Sequence, residues 1–187
     1  MGDFYSIAWY FFIYAFLGWC SEVVYATLNS GKFVNRGFLN GPYCPIYGVG
    51  VLLVAAALEP VAENLPLLFF GSVLVTTLLE LVTGFLLERI FSAKWWDYTD
   101  EHFNFRGYIC VKFSLLWGLA CMLVIRVIFP MITRFVHWIP HTLGIVLLLV
   151  LTAGFAADLG MTVTGILKIK KKLRMLEKIS GRRCSWT

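Results

Sequence analysis

Residues 66–91 read PLLFFGSVLVTTLLELVTGFLLERIF, an apolar stretch whose charged residues are Glu80, Glu88 and Arg89. A helix needs roughly 20 consecutive, mostly apolar residues to cross the hydrocarbon core of a bilayer. The stretch therefore predicts a membrane-spanning helix. Its length indicates that this helix is tilted or extends past the bilayer.

The rest of the chain has the same apolar character. Of the 187 residues, 59% are hydrophobic and 14% are charged, with a mean hydropathy of +0.78. A soluble domain is usually about 45–50% apolar and about 25% charged, so this composition favours lipid as the surrounding solvent. The predicted fold class is all-α, a polytopic helical membrane protein with about five spans. The stretches that predict these spans are about 4–28, 45–58, 66–91, 107–129 and 142–167.

Two connecting segments have unusual sequences. The short second span is preceded by Gly41-Pro42-Tyr43-Cys44-Pro45, which predicts a bent or re-entrant approach to the helix. The connector 129–142, FPMITRFVHWIPHT, contains two prolines and two histidines and predicts a turn at the membrane interface.

The distribution of Lys and Arg predicts the orientation of the spans. The strongest basic cluster begins with KIKKKLR at residue 168, so the tail 168–187 is predicted to be cytoplasmic and residues 1–167 to form the transmembrane domain. By counting spans, the loops 29–44 and 92–106 lie on the same side. The turn 59–66, which has two Glu and no Lys or Arg, lies outside with the N-terminus.

Three short motifs occur in the same order in both halves of the chain: Gly-x-x-x-Glu, Arg-Gly-aromatic and aromatic-Gly. They are Gly18–Glu22, Arg36-Gly37-Phe38 and Tyr47-Gly48, then Gly84–Glu88, Arg106-Gly107-Tyr108 and Trp117-Gly118. The residues Asn35 and Asn104 lie close to the two arginines. The pattern predicts that helices 1–2 and 3–4 are parallel repeats about an axis along the membrane normal. Because only about five positions match, chance similarity is the alternative.

Two acidic residues are predicted to lie deep in the membrane. Glu80 is midway along the third span and Asp158 midway along the fifth, at similar distances from the cytoplasmic ends. An ionisable group there costs at least about 2.5–3.5 kcal/mol and normally has a partner. The two acids could share a proton or hold a cation. Alternatively, each is structural, bonded to a Thr or paired with an Arg. Glu22 and Glu88 lie nearer the interface, where ion pairs with nearby arginines are expected.

The loop 92–107, SAKWWDYTDEHFNFRG, has the densest mixture of aromatic and polar residues. It is predicted to fold back over the bundle as a lid, or to dock a partner. The sequence contains no Walker, HExxH or GxSxG motif, and its five cysteines form no CxxC pair. We therefore expect no catalytic, cofactor-binding or metal-ligating residues, and no nucleic-acid partner.

The run 35–48, NRGFLNGPYCPIYG, together with Trp96-Asp97-Tyr98 and the run 104–110, NFRGYIC, resembles the CmpB-like family of ABC-transporter permeases. The resemblance covers roughly residues 10–130. It implies a bacterial inner-membrane protein that acts in transport, with a separate ATPase subunit as a partner.

The leading hypothesis is a transporter or permease subunit that moves a small solute, in contact with membrane lipids and able to form a homodimer. Its predicted solute or ion pathway comprises a midplane acidic site, a cytoplasmic Arg/Glu gate and the polar loop: Glu80, Asp158, Glu22, Glu88, Arg36, Arg106, Asn35, Asn104, Trp96, Asp97 and Tyr98. One alternative is a membrane-embedded enzyme acting on a lipid or isoprenoid phosphate headgroup, held by the two arginines. Another is a scaffold or regulatory subunit that docks through the Trp-rich loop.

Overall fold

The computed structural model describes residues 3–180, and their side chains except those of residues 174 and 177–180. Its elements are, in chain order, α1 (Phe4–Ser30), α2 (Pro45–Leu58) with a 3-10 turn (Glu59–Val61), α3 (Leu65–Phe91), β1 (Asn104–Phe105), β2 (Ile109–Cys110), α4 (Val111–Leu123), a π-helical turn (Val124–Ile128), α5 (Phe129–Trp138) and α6 (His141–Ser180). The all-α prediction is confirmed. The strands are two residues each and form one short antiparallel hairpin.

Within residues 3–180, four helical stretches are long and apolar enough to cross a membrane: Phe4–Ser30, Leu65–Phe91, Val111–Trp138 and His141–Leu173. The fifth apolar helix, Pro45–Val61, is shorter, in line with the short second stretch of the sequence. The chain is therefore a polytopic helical membrane protein, and its described part has four full-length apolar helices and one short one.

Local chemistry sets the ends of the first long helices. α1 begins after Asp3, whose carboxylate accepts hydrogen bonds from the backbone N–H and the hydroxyl of Ser6. It ends at Gly31, where φ is 68° and the backbone N–H returns to the carbonyl of Thr27. α3 begins after Asn64, whose side chain accepts from the backbone N–H of Leu67.

The bundle contains two helical hairpins, α1–α2 and α3–α4, and glycines of the repeated motifs lie where the helices of each hairpin approach most closely. A Cβ atom on Gly48 would lie 2.6 Å from the carbonyl oxygen of Phe11. A Cβ atom on Gly118 would lie 2.5 Å from Cγ2 of Val73. Small residues allow helix backbones to approach closely in membranes, so the aromatic-Gly motif of each half is a packing motif.

The fourth span is longer than the sequence predicted, and the predicted turn over 129–142 is wrong for most of its length. The helix continues through the π-helical turn into α5 and ends at Trp138, so only residues 139–140 separate it from α6. Pro130 does not interrupt it because a proline is tolerated in the first turn of a helical segment, and the preceding π-helical turn adjusts the backbone hydrogen bonds. Ile132 and Val136 of α5 then pack against the aromatic core of α1.

α1 is the central helix of the bundle. In the apolar stretch of α1, 39% of the residues are buried, against 11% in that of α6. The main core cluster joins four aromatic residues of α1 to residues of α5 and α6: Trp9, Tyr10, Phe12, Tyr14, Ile132, Val136 and Leu148. The apolar side chains on the outside of α6 therefore face the surroundings, as a lipid-facing helix requires.

The basic tail extends the last helix. α6 has 40 residues, about 60 Å of helix at 1.5 Å per residue, whereas the hydrocarbon core is about 30 Å thick. Lys170 donates from its ammonium group to the carbonyl of Ile90 near the end of α3, 2.7 Å away. The basic residues from 168 onward thus begin at the end of the bundle that carries residues 31–44 and 92–110, called here the loop end. The pair Arg182-Arg183 lies outside the described residues.

Candidate functional site

Glu80 is the most unusual polar residue of the α3–α4 hairpin. Its side chain is buried, with 8% of the residue exposed. Oε1 accepts a hydrogen bond from the Tyr98 hydroxyl at 2.9 Å and a longer one from Trp117 Nε1 at 3.4 Å. Oε2 is buried and has no hydrogen-bond partner in the described part of the chain. Buried polar atoms normally have partners, so this oxygen can accept a proton, a cation or a donor group.

Tyr98 reaches Glu80 from the loop between α3 and the β-hairpin. Its ring stacks on Phe113 of α4 with a centroid distance of 4.8 Å, and its backbone N–H donates to the carbonyl of Gly107. Burial and the neighbouring Glu80 carboxylate raise the pKa of the Tyr98 phenol, so it remains a protonated donor. The loop therefore folds back over the hairpin and covers Glu80 with one side chain.

The other residues of the Trp-Asp-Tyr motif hold this loop in place. Trp96 donates from Nε1 to the carbonyl of Tyr108 at 2.9 Å. Asp97 accepts from the backbone N–H and the hydroxyl of Thr99 and forms an ion pair with Lys94. The bonds from Thr99 are the main cause that lowers the pKa of Asp97. All three residues of the motif therefore have a defined structural role in the loop.

Each of the two Arg-Gly turns contains the same type of hydrogen bond, from the glycine backbone N–H to a preceding asparagine side chain. Asn35 Oδ1 accepts from the backbone N–H of Gly37 at 3.1 Å, and Asn104 Oδ1 accepts from that of Gly107 at 3.2 Å. The arginine between each pair is exposed, and its guanidinium lies over an aromatic ring, Tyr25 for Arg36 and Phe105 for Arg106. The asparagines organise the turns and leave the arginines free to face solvent.

The predicted ion pairs of Glu22 and Glu88 with arginines are wrong for the described residues. Glu22 accepts from the hydroxyl of Tyr47 at 2.6 Å, and Glu88 accepts from that of Tyr108, also at 2.6 Å. Tyr47 lies on α2, across the first hairpin from Glu22, and Tyr108 lies in the turn between β1 and β2, next to the end of α3. The arginines instead lie over rings at the surface. Phenol donors thus replace the expected guanidinium donors.

A continuous row of side chains connects the loop end to Glu80. The rings of Tyr47 and Trp117, which are equivalent in the repeated motifs, meet at 5.5 Å in an edge-to-face contact. Each also donates to a carboxylate, Tyr47 to Glu22 and Trp117 to Glu80. The aromatic residue of the aromatic-Gly motif thus donates a hydrogen bond to an acid in both halves. The contact between the two rings joins the hairpins.

Asp158 has different partners from Glu80. Its Oδ2 accepts from the backbone N–H of Gly41 at 2.7 Å, and Oδ1 accepts from the backbone N–H of Asn40, the Asn40 side chain and the Thr162 hydroxyl. Among residues 3–180, no hydrogen-bond partner of Asp158 is also a partner of Glu80. Asp158 instead binds α6 to the loop before α2. Asn40 was missed in the sequence, although an Asn-Gly-Pro run before a helix is a signal for a turn with exposed backbone N–H groups.

A cavity lies at the other end of the bundle, which we call the opposite end: the starts of α1 and α6 with the ends of α2 and α5. Its volume is about 910 Å³. Polar and aromatic residues line it, among them Asp3, Tyr5, Tyr10, Glu59, His137 and His141. None of these was a predicted site residue, and the only signal in the sequence was the pair of histidines around residue 140.

No solved structure matches the chain. The family described as "Putative ABC-transporter type IV" matches residues 9–163, which include all of the two hairpins except the first residues of α1, both Arg-Gly turns and the two deep acids. This confirms the resemblance that the sequence motifs indicated. The chain therefore belongs to this CmpB-like family of ABC-transporter type IV proteins and is a multi-pass, transporter-type membrane protein.

Proposed function

We propose that the chain is the membrane-spanning subunit of a transporter for a small solute, with Glu80 as its protonatable or cation-binding site. The observation that carries this proposal is the buried Glu80 carboxylate, which has one oxygen bonded to a loop tyrosine and one without a partner. Leaving a buried acceptor unpaired costs about 1–3 kcal/mol, so a proton or cation at this oxygen would be bound favourably.

Access to Glu80 is controlled at the loop end. Opening would separate Tyr98 from Glu80, because the tyrosine belongs to the loop and the acid to α3. Glu22 and Glu88, with their tyrosine donors, and the exposed Arg36 and Arg106 would form the gate around this opening. Asp158, whose carboxylate has several donors, would hold α6 against the first loop and would not bind a cation.

The family description supports a separate ATPase subunit as the energy source, since the chain has no Walker motif of its own. This partner would contact the loop end, where the two Arg-Gly turns and the basic part of α6 lie together. A second copy of the chain would complete the pathway as a homodimer, because the cavity of about 910 Å³ lies at the opposite end and Glu80 is not among the residues that line it.

Proteoliposomes test the proposal. The full chain would be reconstituted alone, with an imposed pH or Na⁺ gradient, and together with its ATPase subunit and ATP. A panel of labelled amino acids, amines, sugars and inorganic ions would then be added. Uptake above that of empty vesicles under at least one condition is expected. Uptake equal to that of empty vesicles under every condition would show that the chain is not a transport subunit.

Replacing Tyr98 by phenylalanine is expected to expose Glu80. The hydrogen bond to a charged acceptor that is lost contributes about 1.5–3 kcal/mol, so the loop should open about tenfold more often or beyond. Dicyclohexylcarbodiimide, an apolar reagent for protonated carboxyl groups, reports this opening as the rate at which Glu80 is labelled, measured by mass spectrometry. Tyr25→Phe, at an exposed ring, is the matched control. An equal labelling rate in both variants would contradict the role of Tyr98.

The basic tail predicts the orientation of the chain in the inner membrane. A green fluorescent protein fused after residue 187 should fluoresce, because it folds only in the cytoplasm. Alkaline phosphatase fused after Glu63 should be active, because the turn between α2 and α3 lies outside in this orientation. The reverse pattern would show that the N-terminus, and not the tail, is cytoplasmic.

A further inference from the structure

One face of α3 carries polar residues at successive turns through the middle of the bundle. Ser72, Thr76 and Glu80 are four residues apart, so their side chains lie on the same face of the helix. We call these three residues the α3 stripe. Leu74 and Leu78 on the outer face are 61% and 51% exposed, whereas Ser72 and Glu80 are 0% and 8% exposed. The stripe therefore faces the interior of the bundle.

Two helices pack against α3 on either side of the α3 stripe. On one side, a Cβ atom on Gly50 of α2 would lie 3.2 Å from Cδ2 of Leu79. On the other side, Thr77 donates from its hydroxyl to Ser114 of α4 at 2.9 Å. Positions 77 and 79 flank the stripe on the circumference of the helix. The stripe thus lies between two packed helices, away from the lipid-facing surface.

The α3 stripe has hydrogen-bonding capacity that the fold does not use. The Ser72 hydroxyl is fully buried and has no hydrogen-bond partner within residues 3–180, and the same is true of Oε2 of Glu80. Between them, Thr76 donates from its hydroxyl to the carbonyl oxygen of Ser72 at 2.8 Å, and its oxygen can still accept. Buried polar groups that lack a protein partner are normally paired with ordered water. Water along the stripe would pair both ends of it.

The α3 stripe is covered at both ends. At the loop end, the hydroxyl of Tyr98 covers Glu80. One turn beyond Ser72, toward the opposite end, the same face carries Leu68, which is fully buried. Ser72 lies eight residues from Glu80, about 12 Å along the helix at 1.5 Å per residue. The stripe thus extends the polar interior from Glu80 toward the opposite end, as far as the apolar side chain of Leu68.

We propose that the α3 stripe binds a chain of water molecules that carries protons between Glu80 and the opposite end. This inference rests on the proposed role of Glu80 as the protonatable site, and it assigns that site a second route of access. A proton that enters past Leu68 joins the water at Ser72. Each water then accepts one proton and passes another to the next oxygen. The last transfer forms an O–H bond at Oε2 of Glu80, and one O–H bond breaks for each one that forms.

The groups around Glu80 favour a proton over a metal cation on this route. Those near it from the other elements are aromatic or acidic: Tyr98 of the loop, Trp117 of α4, Tyr47 of α2 behind that ring, and Glu22 of α1. The charge of Glu22 acts on Glu80 from the loop end. Toward the opposite end, Thr76 and Ser72 carry hydroxyl groups and no charge. Neutral hydroxyl groups hold water, whereas a desolvated metal cation needs several ligands and charge compensation.

Labelling of Glu80 with dicyclohexylcarbodiimide tests proton access, in right-side-out membrane vesicles whose pH is set separately on the two sides. The fusion experiment identifies the side that the opposite end faces. Raising the pH there from 6 to 8 should lower the wild-type labelling rate about tenfold, as for a carboxyl group whose protonation follows that pH. In Ser72→Val, which fills the space of a bound water, the rate should change less than about twofold. Ser72→Ala, whose smaller side chain should fold in the same space, should respond in the same direction.

Thermal unfolding tests the bound water without transport or labelling. The matched control is Ser114→Ala, which removes a buried hydroxyl whose partner is Thr77. If water pairs with the Ser72 hydroxyl, Ser72→Ala also loses a hydrogen bond, so the Tm values of the two variants should agree within about 3 °C. If the hydroxyl has no partner, Ser72→Ala loses no hydrogen bond and should unfold well above Ser114→Ala. That result would overturn the proposal.

The labelling results separate this inference from the proposed role of Glu80. Ser114→Ala should respond to pH as the wild type does, because Ser114 lies outside the α3 stripe. A wild-type response to the pH of the loop-end side alone, or a full response in both Ser72 variants, would remove the route along α3 and keep the role of Glu80. Labelling of Glu80 that depends on the pH of neither side would instead remove both.

Discussion

Glu80→Gln is expected to abolish the pH dependence of solute uptake by proteoliposomes. The glutamine has the same shape, and its oxygen can still accept from Tyr98 and Trp117 in the position of Oε1. Its amide would take the place of Oε2, which has no partner to lose. The variant should therefore fold, but it can neither gain nor lose a proton.

The size of the effect follows from the loss of charge at one buried site. A free energy of about 1.4 kcal/mol for the coupling between protonation of Glu80 and solute movement corresponds to a tenfold change in an equilibrium. Without this coupling, uptake driven by a pH gradient should fall by about tenfold or more. Uptake would be measured between pH 5 and 8 for the wild type, for Glu80→Gln and for Glu63→Gln. Glu63 is exposed at the opposite end, where it pairs with Arg126, so this control should keep the wild-type profile.

Two results would limit the role of Glu80. If Glu80→Gln keeps the wild-type pH profile, the acid is structural and its hydrogen bonds to Tyr98 and Trp117 are its function. If the variant also loses ATP-driven uptake at every pH, the residue acts in binding the solute and not in proton coupling. Solute binding without transport, measured in detergent, separates the second result from a general loss of fold.

The class of the fold followed from the sequence because lipid imposes simple rules on composition and length. The apolar stretch 66–91 became α3, and the short second stretch became the short helix α2. The end of the fourth span could not be placed, because two prolines in 129–142 indicate a break and only the packed structure shows that a π-helical turn adjusts to the first of them. Ile132 and Val136 then bury their side chains on α1, which stabilises a helix that local sequence disfavours.

The candidate site was predicted in part. The sequence identified Glu80 and Tyr98 separately, one as a deep acid and the other as part of a polar loop, but their contact across 18 positions depends on how the loop folds back. It also paired Glu22 and Glu88 with the wrong donors. Charge alone favours arginine, whereas the folded geometry places a tyrosine hydroxyl next to each carboxylate. The cavity at the opposite end depends on four helix ends meeting, and no single motif in the sequence encodes such a meeting.

The contacts of Asp158 predict a large loss of stability for Asp158→Asn. Gly41 and Asn40 direct backbone N–H groups at the carboxylate of Asp158. The amide group introduced by Asp158→Asn can accept at its oxygen only, because its other terminal atom is an N–H₂ donor. One donor would then face an amide N–H₂ group instead of an oxygen. A hydrogen bond to a charged group contributes about 1.5–3 kcal/mol, so the free energy of unfolding should fall by about 2 kcal/mol or more.

In Asp158→Asn, the loop before α2 should separate from α6 more often than the whole chain unfolds, because the bonds to Asp158 hold this loop against α6. Hydrogen exchange in detergent should show faster exchange at Gly41 in Asp158→Asn, while amides of the α3–α4 hairpin keep the wild-type rate. Thermal unfolding measures the loss of stability, with Asp100→Asn as the control that removes a charge from an exposed position. If Asp158→Asn unfolds like the control and Gly41 remains protected, Asp158 does not anchor the loop. In that case the contacts of Asp158 are not required for the fold, and the acid is again a candidate for the cation site.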